Sequence, residues 1–466
     1  MQLARIAQLG LVAATLGLGC RHVAPAPLDP VARAGAFEAR SLDDAGLHAF
    51  LASALGSELG SWPRAAWDAR SLAAAALYFQ PRIAVARAAS EASTAAIETA
   101  RARPNPTLAL TPERASNPGT AVSPWIAALS FDWPIETAGK RGRRIDRAEA
   151  EATAAALALR SEAWALRHQV AAALLDVVAA RSRSAALARE VETSRALVAA
   201  LDARIERGAA AAGDAAPFRL AWLESERAYG VETARQRDAL VAVAAAVGVP
   251  VRALDGVELV APQPDASLAS ASREACVRRA LFERADVLAS LARYAAAEAA
   301  LRLELARQWP DLHVGPGYQF DQGTSKWSVG LSLELPLLDR NDGPIAEAIA
   351  ARKAAAADFD AVQARGVAEV EQALAVRDAA EADASRSDAL AADRRANLDR
   401  VRAAARLGAA DRVAELAAEL EWLRADRDRA DAAIARVQSL DALEAAVQPA
   451  SRAPPIASLA DQGGAP

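Results

Sequence analysis

The chain has 466 residues, a formal net charge of −5 and two cysteines, and 53% of its residues are hydrophobic although only 5% are aromatic. Alanine supplies most of the apolar residues, and an alanine-rich chain with abundant Arg and Glu is typical of long helices. Charges of both signs are interspersed, so no basic stripe indicates a nucleic-acid partner. Two cysteines are too few for a disulfide framework. The four histidines are scattered, so we expect neither a metal site nor a cofactor: His22, His48, His168 and His313.

The N-terminus is typical of a bacterial secretory signal. A short basic region precedes an apolar stretch from Ile6 to Gly19, which is too short to span a bilayer of roughly 30 Å. We therefore predict a signal peptide over residues 1–19. The sequence before Cys20 resembles a lipobox, in which the cysteine becomes the lipidated first residue; the alternative is plain cleavage nearby with loss of Cys20. Residues 20–40 are predicted to form a lipidated, proline-rich tether.

The first structural unit is predicted over residues 41–247. Its first helix extends from about Ala65 to Arg103, because Pro104 and Pro106 cannot continue it. A β-hairpin follows over about residues 107–134. Two long helices with a turn near residues 208–216 complete the unit: Arg143–Arg207 and Pro217–Val247. Residues 248–272 are predicted to be a linker.

The second unit, residues 273–447, is predicted to have the same order of elements. A helix from Arg273 to Arg307 ends before Pro310, and a hairpin follows over about residues 311–337. Two long helices with a turn near residues 408–412 come next: Pro344–Leu407 and Asp411–Val447. Residues 448–466 are predicted to be a disordered tail.

Matching positions in the two units indicate an internal duplication. Pro106 corresponds to Pro310 at an offset of 204 residues, and Gly208 corresponds to Gly408 at an offset of 200 residues. Trp222 and Trp422 share the second offset. Chance alignment of alanine-rich helices is the alternative, but helical composition does not supply matched Pro, Gly and Trp residues.

The two hairpins carry much of the aromatic content, and their residues alternate between apolar and polar. This alternation over about ten residues is typical of transmembrane β-strands, although a small two-sided sheet in a soluble protein is the ordinary alternative. The predicted lipid-facing residues are Trp125, Leu129, Phe131, Trp133, Tyr318, Phe320, Trp327, Val329, Leu331 and Leu333. The predicted lumen-facing residues are Asp132, His313, Gln319 and Glu334.

Four strands cannot close a membrane barrel, which needs at least about eight. Open sheet edges do not occur in lipid, because their backbone groups would be unpaired. If these strands span a membrane, several chains must therefore share one barrel. The long helices fit such an assembly, because small alanines permit close helix–helix approach along a narrow apolar seam.

Several motifs recur at the junctions between strands and helices. Arg103–Pro106 precedes the first hairpin, Trp133–Arg141 follows it, and Leu335–Asn341 follows the second hairpin. A glycine and a nearby acidic residue lie at each predicted helical turn, namely Gly208 with Asp214 and Gly408 with Asp411. In this order the motifs resemble the TolC family of outer-membrane efflux proteins, and within it the CusC/CzcC-like branch. The resemblance covers about residues 40–447.

The resemblance implies a mainly α-helical fold with a small transmembrane β part. Three chains with four strands each would form one 12-stranded barrel, continued into the periplasm by long antiparallel coiled-coil helices. It implies an outer-membrane channel of a tripartite efflux system that works with a periplasmic adaptor and a resistance-nodulation-division pump. Such a channel conducts passively, with heavy-metal cations or small toxic compounds as the expected cargo.

Other functions stay open from the sequence. A type I secretion channel would have the same fold, and a periplasmic coiled-coil adaptor or scaffold would be soluble without detergent. An enzyme or lipid carrier would need a concave site that the sequence does not display, so we do not expect an enzyme.

The resemblance also assigns residues at the helical turns. Family members close the channel there with charged residues and engage the adaptor, so the candidates for the gate and adaptor contact are Gly208, Asp214, Gly408, Asp411, Arg412 and Glu415. The basic run Gly139–Gly142 lacks the spacing of a phosphate-binding loop. We expect its charges to meet lipid headgroups or helix-end carbonyls.

Overall fold

The computed structural model describes residues 23–56, 60–116 and 123–456. The predicted signal peptide, Cys20, the first hairpin turn and residues 457–466 lie outside the described residues. The chain divides into two compact units, one up to Ser41 and one from Leu42 onward. In the first unit, helix α1 (Pro30–Glu38) begins after Asp29, whose carboxylate accepts hydrogen bonds from two backbone N–H groups. The predicted tether is therefore helical in its last part, because an N-cap and a proline in the first turn initiate a helix there.

The second unit is mainly helical. Its first half contains α2 to α6: Ala45–Leu55, Ala69–Phe79, Pro81–Arg101, Lys140–Glu206 and Ala216–Val247. Its second half contains α7 to α10: Arg273–Glu283, Ala285–Ala306, Asp342–Arg406 and Arg412–Val447. The 67 residues of α5 extend roughly 100 Å. Across the described ranges, no helix is both long and apolar enough to cross a membrane.

Each predicted first helix is in fact two helices. The break between α3 and α4 lies at Gln80, which is extended with ψ 119° because a following proline disfavours the helical conformation. The break between α7 and α8 lies at Arg284, with ψ 133°. Both residues bind the end of the last helix in their own half: the Gln80 side-chain amide donates to Ala246 O at 2.9 Å, and Arg284 Nη1 donates to Ala446 O at 2.9 Å. Such long-range contacts have no local sequence signal.

The long helices pack in antiparallel pairs. Helix α5 contacts α6, and α9 contacts α10, while contacts between α5 and α10 join the two halves. Helices α4 and α8 both pack on α5. The bounds of the four longest helices lie within three residues of the predicted bounds.

The strands of the two hairpins are β2 (Thr107–Arg114), β3 (Trp125–Ile135), β5 (Leu312–Asp321) and β6 (Thr324–Leu333). They form one antiparallel sheet in the order β2-β3-β5-β6. The β5–β6 turn has positive φ at both central residues, Gln322 and Gly323, as a two-residue hairpin turn requires. Strands β2 and β6 are the edges of the sheet and are exposed along their whole length.

The predicted linker is packed rather than free. Strand β1 (Ala66–Trp67) pairs in parallel with β4 (Glu258–Leu259), and Leu254 and Leu268 are buried. The described part of the predicted disordered tail is also ordered, so that prediction is wrong for residues 448–456. The backbone N–H of Ala285 donates to the buried Gln448 side chain at 3.0 Å, and Ile456 packs against the main apolar core. Buried apolar side chains and satisfied polar groups hold both segments in place.

Candidate functional site: the sheet, its junctions and the helical turns

All ten residues predicted to face lipid share one face of the sheet. The register places Tyr318 opposite both Leu129 and Trp327, and Leu331 opposite Val314. Three of these side chains are strongly exposed: Trp327 at 82%, Val329 at 76% and Leu331 at 69%. Leu108 and Leu110 of β2 lie on the same face, which the sequence analysis did not assign. A contiguous exposed apolar surface of this kind is typical of a face that contacts lipid or another protein.

The opposite face of the sheet is polar. Asp132 and His313 meet there, with His313 Nδ1 2.9 Å from Asp132 Oδ2. Gln319 lies opposite Lys326, whose Nζ donates to Asp321 Oδ2 at 2.7 Å. The sequence predicted that Asp132, His313 and Gln319 lie on this face. It did not predict that Asp132 and His313 are partners.

The assignment of Glu334 to a strand is wrong. Strand β6 ends at Leu333, and the chain continues through Pro336 to the long helix α9. Proline cannot donate a hydrogen bond to a strand ladder, which is consistent with an early strand end. Glu334 therefore lies just beyond the sheet.

One carboxylate makes two contacts at the first sheet-to-helix junction. Asp311 Oδ1 accepts hydrogen bonds from Lys140 Nζ at 2.8 Å and from the backbone N–H of Thr137 at 2.9 Å. Lys140 begins α5, whereas Asp311 immediately precedes β5, so this pair connects the two halves of the chain. Ala138 and Gly139 between these groups both have positive φ, which lets the backbone turn sharply into the helix.

The basic residues of this junction bind helix-end carbonyls. Arg141 Nε donates to Arg101 O at 2.7 Å, and Arg144 Nη2 donates to Ala102 O at 3.1 Å. Both acceptors lie at the end of α4, where intrahelical partners run out. At the second junction Asn341 also has positive φ, and its Nδ2 donates to Glu304 O near the end of α8 at 2.8 Å. Within the run Gly139–Gly142, Arg141 thus binds a helix-end carbonyl as expected, whereas Lys140 binds the carboxylate of Asp311.

The two long helical hairpins turn in the same way. At the end of α5, Gly208 has φ +72°, its N–H donates to Ile205 O, and the N–H of Ala209 donates to Arg204 O. At the end of α9, Gly408 has φ +74° and stands in the same hydrogen-bonding arrangement. This is the Schellman motif, in which a left-handed glycine satisfies the last helical carbonyls.

The acidic residues of the turns act locally as caps. Asp411 accepts a hydrogen bond from the N–H of Ala414 at 2.8 Å and so begins α10. Asp214 accepts from the N–H of Ala211 at 2.9 Å within the other turn. The two aspartates therefore bind the backbone in different ways: Asp411 accepts from a residue ahead of it in the chain, and Asp214 accepts from a residue behind it.

Ion pairs join the charged residues around the turns. Arg204 near the end of α5 pairs with Asp411, and Arg412 Nη1 lies 2.7 Å from Glu415 Oε2. The Arg412 hydrogen bond is the main reason that the pKa of Glu415 lies below its usual value. Arg402 also approaches Glu415, at 3.5 Å. Arg204 and Arg402 were missed by the sequence analysis, because their partners are distant in the chain or on another helix.

An apolar cluster lies beside these charges and holds the two turns together. It contains residues from α5, from the turn after it and from α10: Leu197, Leu201, Ala215, Leu416 and Leu420. The structure thus brings Asp411, Arg412 and Glu415 together at one turn and places Asp214 on its neighbour.

A line of ion pairs runs along α5 and α10. Its members are Arg167–Glu444, His168–Asp441, Arg183–Asp431 and Glu190–Arg427. The hydrogen bond to Asp441 raises the pKa of His168, although burial opposes this change. His168 has no role that could be assigned from sequence alone, because its partner lies 273 residues away.

Metal-ligand clusters are absent from the part of the chain that the structure describes: no group of three or more His, Cys, Asp or Glu side chains is arranged to hold an ion. The sheet, its junctions and the charged helical turns are therefore the features that bear on function.

Comparisons with known proteins agree with this architecture. Over 264 residues, 54% of the chain, the sequence is 27% identical to the cobalt-zinc-cadmium resistance protein CzcC of Cupriavidus metallidurans. The match spans 59% of that relative. A membrane protein from Pseudomonas aeruginosa has a similar fold, with a TM-score of 0.67 at 21% identity over 81% of this chain and 90% of that one. The channel-forming protein CusC matches with a TM-score of 0.66 at 16% identity, over 91% of this chain and 99% of CusC.

The model of one protein family matches both halves of the chain. The matched residues are 72–249 and 276–447, which include the long helices and both hairpins. The chain therefore belongs to the outer membrane efflux protein family.

Proposed function

We propose that three copies of this chain form an outer-membrane channel that conducts substrates delivered by an inner-membrane pump and a periplasmic adaptor. The observation that carries the proposal is the four-stranded sheet, which has one apolar face, one polar face and two exposed edges. An apolar outside and a polar inside are what a membrane barrel requires. The family assignment supports the same location and activity.

The exposed edges explain why more than one chain is needed. Backbone groups at a sheet edge cannot remain unpaired in lipid, so β6 of one chain pairs with β2 of the next until the barrel closes. Three chains supply 12 strands, which is within the range of membrane barrels. Helices α5, α6, α9 and α10 then form the periplasmic part of each copy.

The polar face of the sheet lines the proposed channel. It carries the acidic residues Glu113, Asp132 and Asp321 against the single lysine Lys326, with His313 beside Asp132. Threefold repetition would turn each position into a ring of charge, and rings of carboxylates favour cations. The name of the relative CzcC refers to cobalt, zinc and cadmium, so divalent metal cations are the proposed cargo.

The charged helical turns are the proposed gate and adaptor contact. Asp411 is paired with Arg204 of the neighbouring helix, and Glu415 is held by Arg412 and Arg402. Opening of the channel at this end would require these ion pairs to be replaced by other contacts. The proposed gate and contact residues are Gly208, Asp214, Gly408, Asp411, Arg412 and Glu415.

The proposed mature chain begins with a lipidated Cys20, which would anchor it to the outer membrane next to the barrel. Labelling with a radioactive fatty acid tests this step, because a Cys20→Ser variant should lose the label. Incorporation of equal label by both forms would exclude lipidation at this cysteine.

Incorporation into planar lipid bilayers tests the channel activity. We expect the purified full-length protein to give discrete conductance steps that scale with salt concentration and need no energy source. The absence of any conductance by protein that is oligomeric and bilayer-inserted would exclude a channel.

A further inference from the structure

The four longest helices of the chain lie in the order α6–α5–α10–α9. Helix α6 packs on α5, α5 packs on α10, and α10 packs on α9, so α6 and α9 are the two ends of this row. Along one side of α6, large apolar side chains are exposed: Leu220, Leu223 and Val231. We call these three residues the α6 stripe. An apolar line at helical spacing is typical of a surface that packs on another helix.

Residues equivalent to the stripe are buried in the other half of the chain. At the offset of 200 residues, Leu220 and Leu223 correspond to Leu420 and Leu423 of α10. The first two are 59% and 55% exposed, whereas the second two are 6% and 4% exposed. Leu420 is buried because α10 also packs on α5, the long helix of the other half, where Leu197 belongs to the same apolar cluster. The exposed leucines of α6 therefore mark the place of an equivalent second contact.

The helix that would make this contact is α9. It is the counterpart of α5, since each is the first long helix of its half and is followed by a left-handed glycine. Helices α6 and α9 of one chain lie at opposite ends of the row, so the covering α9 belongs to a second copy. The sheet order β2-β3-β5-β6 also runs from the first half of the chain to the second. One neighbouring copy can therefore complete both rows, and head-to-tail contacts of this kind generate rings.

The contact within the chain and the contact between copies differ in charge. Between α5 and α10, Arg183 Nε lies 2.7 Å from Asp431 Oδ1, and Glu190 is ion-paired with an arginine of α10. At the equivalent positions, Val231 stands in place of Asp431, and Leu390 of α9 stands in place of Glu190. Val231 and Leu390 are both exposed in the single chain. The contact between copies is therefore apolar at two positions where the contact within the chain is ionic.

We propose that the α6 stripe is covered by α9 of a second copy, in the same register that α10 and α5 have within the chain. The inference rests on the proposed trimer and adds the helical contact that joins its subunits. The difference in charge makes this contact specific. If α9 of another copy took the place of α5 beside α10, Leu390 would replace Glu190 as the neighbour of Arg427. That arginine would lose its partner in a buried contact, which is costly.

Disulfide cross-linking tests the register. Leu197 and Leu420 belong to one cluster within the chain, and their counterparts are Asn397 and Leu220, so cysteines at these counterparts should lie side by side across copies. Oxidation of outer membranes that contain L220C/N397C should give covalent dimers and trimers on denaturing electrophoresis, and reduction should remove them. Each single variant should give none. L220C/D399C should also give none, because Asp399 lies on the opposite side of α9 from Asn397.

An exchange of charges tests the chemistry of the contact. The counterpart of Arg183 on α9 is Asp383. The variant V231D should therefore place a carboxylate opposite Asp383 of the next copy, and the trimer should dissociate at a lower temperature. Adding D383R would recreate the Arg183–Asp431 pair between copies and should restore the wild-type temperature. The matched control is D399R, since Asp383 and Asp399 each lie 3.3 Å from an arginine of α9; it should not restore V231D.

The two tests separate this contact from the channel itself. A wild-type chain that forms a conducting trimer, without cross-linking in L220C/N397C or rescue by D383R, would overturn the contact and leave the proposed channel in place. A wild-type chain that stays monomeric in outer membranes would overturn both. The reduced L220C/N397C trimer should dissociate at the wild-type temperature. If the cysteines disturb folding instead, the exchange of charges decides the question on its own.

Discussion

Lys140 Nζ lies 2.8 Å from Asp311 Oδ1, and this contact ties the first residue of a 67-residue helix to the residue that precedes the strand of the other half. The lysine side chain is only 10% exposed and that of Asp311 is 33% exposed. The same carboxylate oxygen also accepts the N–H of Thr137. This partly buried ion pair therefore contributes to the orientation of the sheet relative to α5, together with the Arg144–Glu136 ion pair at the same junction.

Lys140→Met removes the ammonium group but keeps most of the side-chain volume. We expect the free energy of unfolding to fall by roughly 2 kcal/mol, because Asp311 loses a charge-assisted hydrogen bond at a site with little water. Urea-induced unfolding followed by circular dichroism measures the change. The matched control is Lys326→Met, whose pair with Asp321 has a similar length but is 53% exposed on the lysine side; it should cost less than about 1 kcal/mol. Equal losses in the two variants would contradict the assigned role of Lys140.

Charge reversal at the helical turns should open the channel. Asp411→Arg combined with Glu415→Arg replaces three ion pairs by repulsion from Arg204, Arg402 and Arg412. The conductance of single channels in planar bilayers should rise. Adding Arg204→Asp restores one opposite-charge pair and should bring the conductance part of the way back. Unchanged conductance in the Asp411 and Glu415 double variant would exclude these two residues as the gate.

Neutralising the polar face of the sheet should reduce cation preference. Asp132→Asn together with Glu113→Gln removes two of the carboxylates on that face, so the reversal potential in a salt gradient should move toward zero. The control is Asp255→Asn, because Asp255 lies outside the sheet. This variant also loses a carboxylate, but its reversal potential should equal that of the wild type. A reversal potential that is the same in all three proteins would show that these carboxylates do not face the conducting path.

The His168–Asp441 pair should make stability depend on pH. The pKa of His168 is raised in the folded chain, mainly by its hydrogen bond to Asp441. The pair therefore contributes fully below the unfolded-state pKa of about 6.5, and the contribution is lost as the pH rises through the higher folded-state pKa. His168→Gln should lower the melting temperature most at about pH 5 to 6 and least in alkaline solution. A difference from the wild type that does not vary with pH would contradict a charged histidine in this pair.

Much of the fold could be predicted from sequence because its signals are local. Alternation in the hairpins predicted which residues share a face, and the glycines predicted both helical turns. The break before Pro81 also had a local signal, although it was missed. The break at Arg284 and the pair of Arg204 with Asp411 had none, since their partners lie on other helices far along the chain.

For a related reason, the packing of two segments was not predicted: the inter-repeat linker is packed, and the tail interpretation was wrong for residues 448–456. Their composition is rich in Pro, Ala and polar residues, which is typical of free segments, but a few buried side chains such as Leu268 and Gln448 hold them against the helices. Composition reports an average over a segment, whereas packing depends on individual positions.

Adjacent residues of β6 provide the most direct test of the proposed channel. Val329 is on the apolar face and Ser328 is on the polar face, and both lie in the middle of the strand. An arginine at mid-membrane on the lipid side costs roughly 2–4 kcal/mol, whereas one that faces water in the lumen costs far less. The measurement is electrophoresis, without boiling, of the outer-membrane fraction from cells that produce wild type, V329R or S328R. We predict a heat-labile trimer for wild type and S328R and its loss in V329R; a soluble wild-type monomer, or equal trimer in both variants, would contradict the proposed channel.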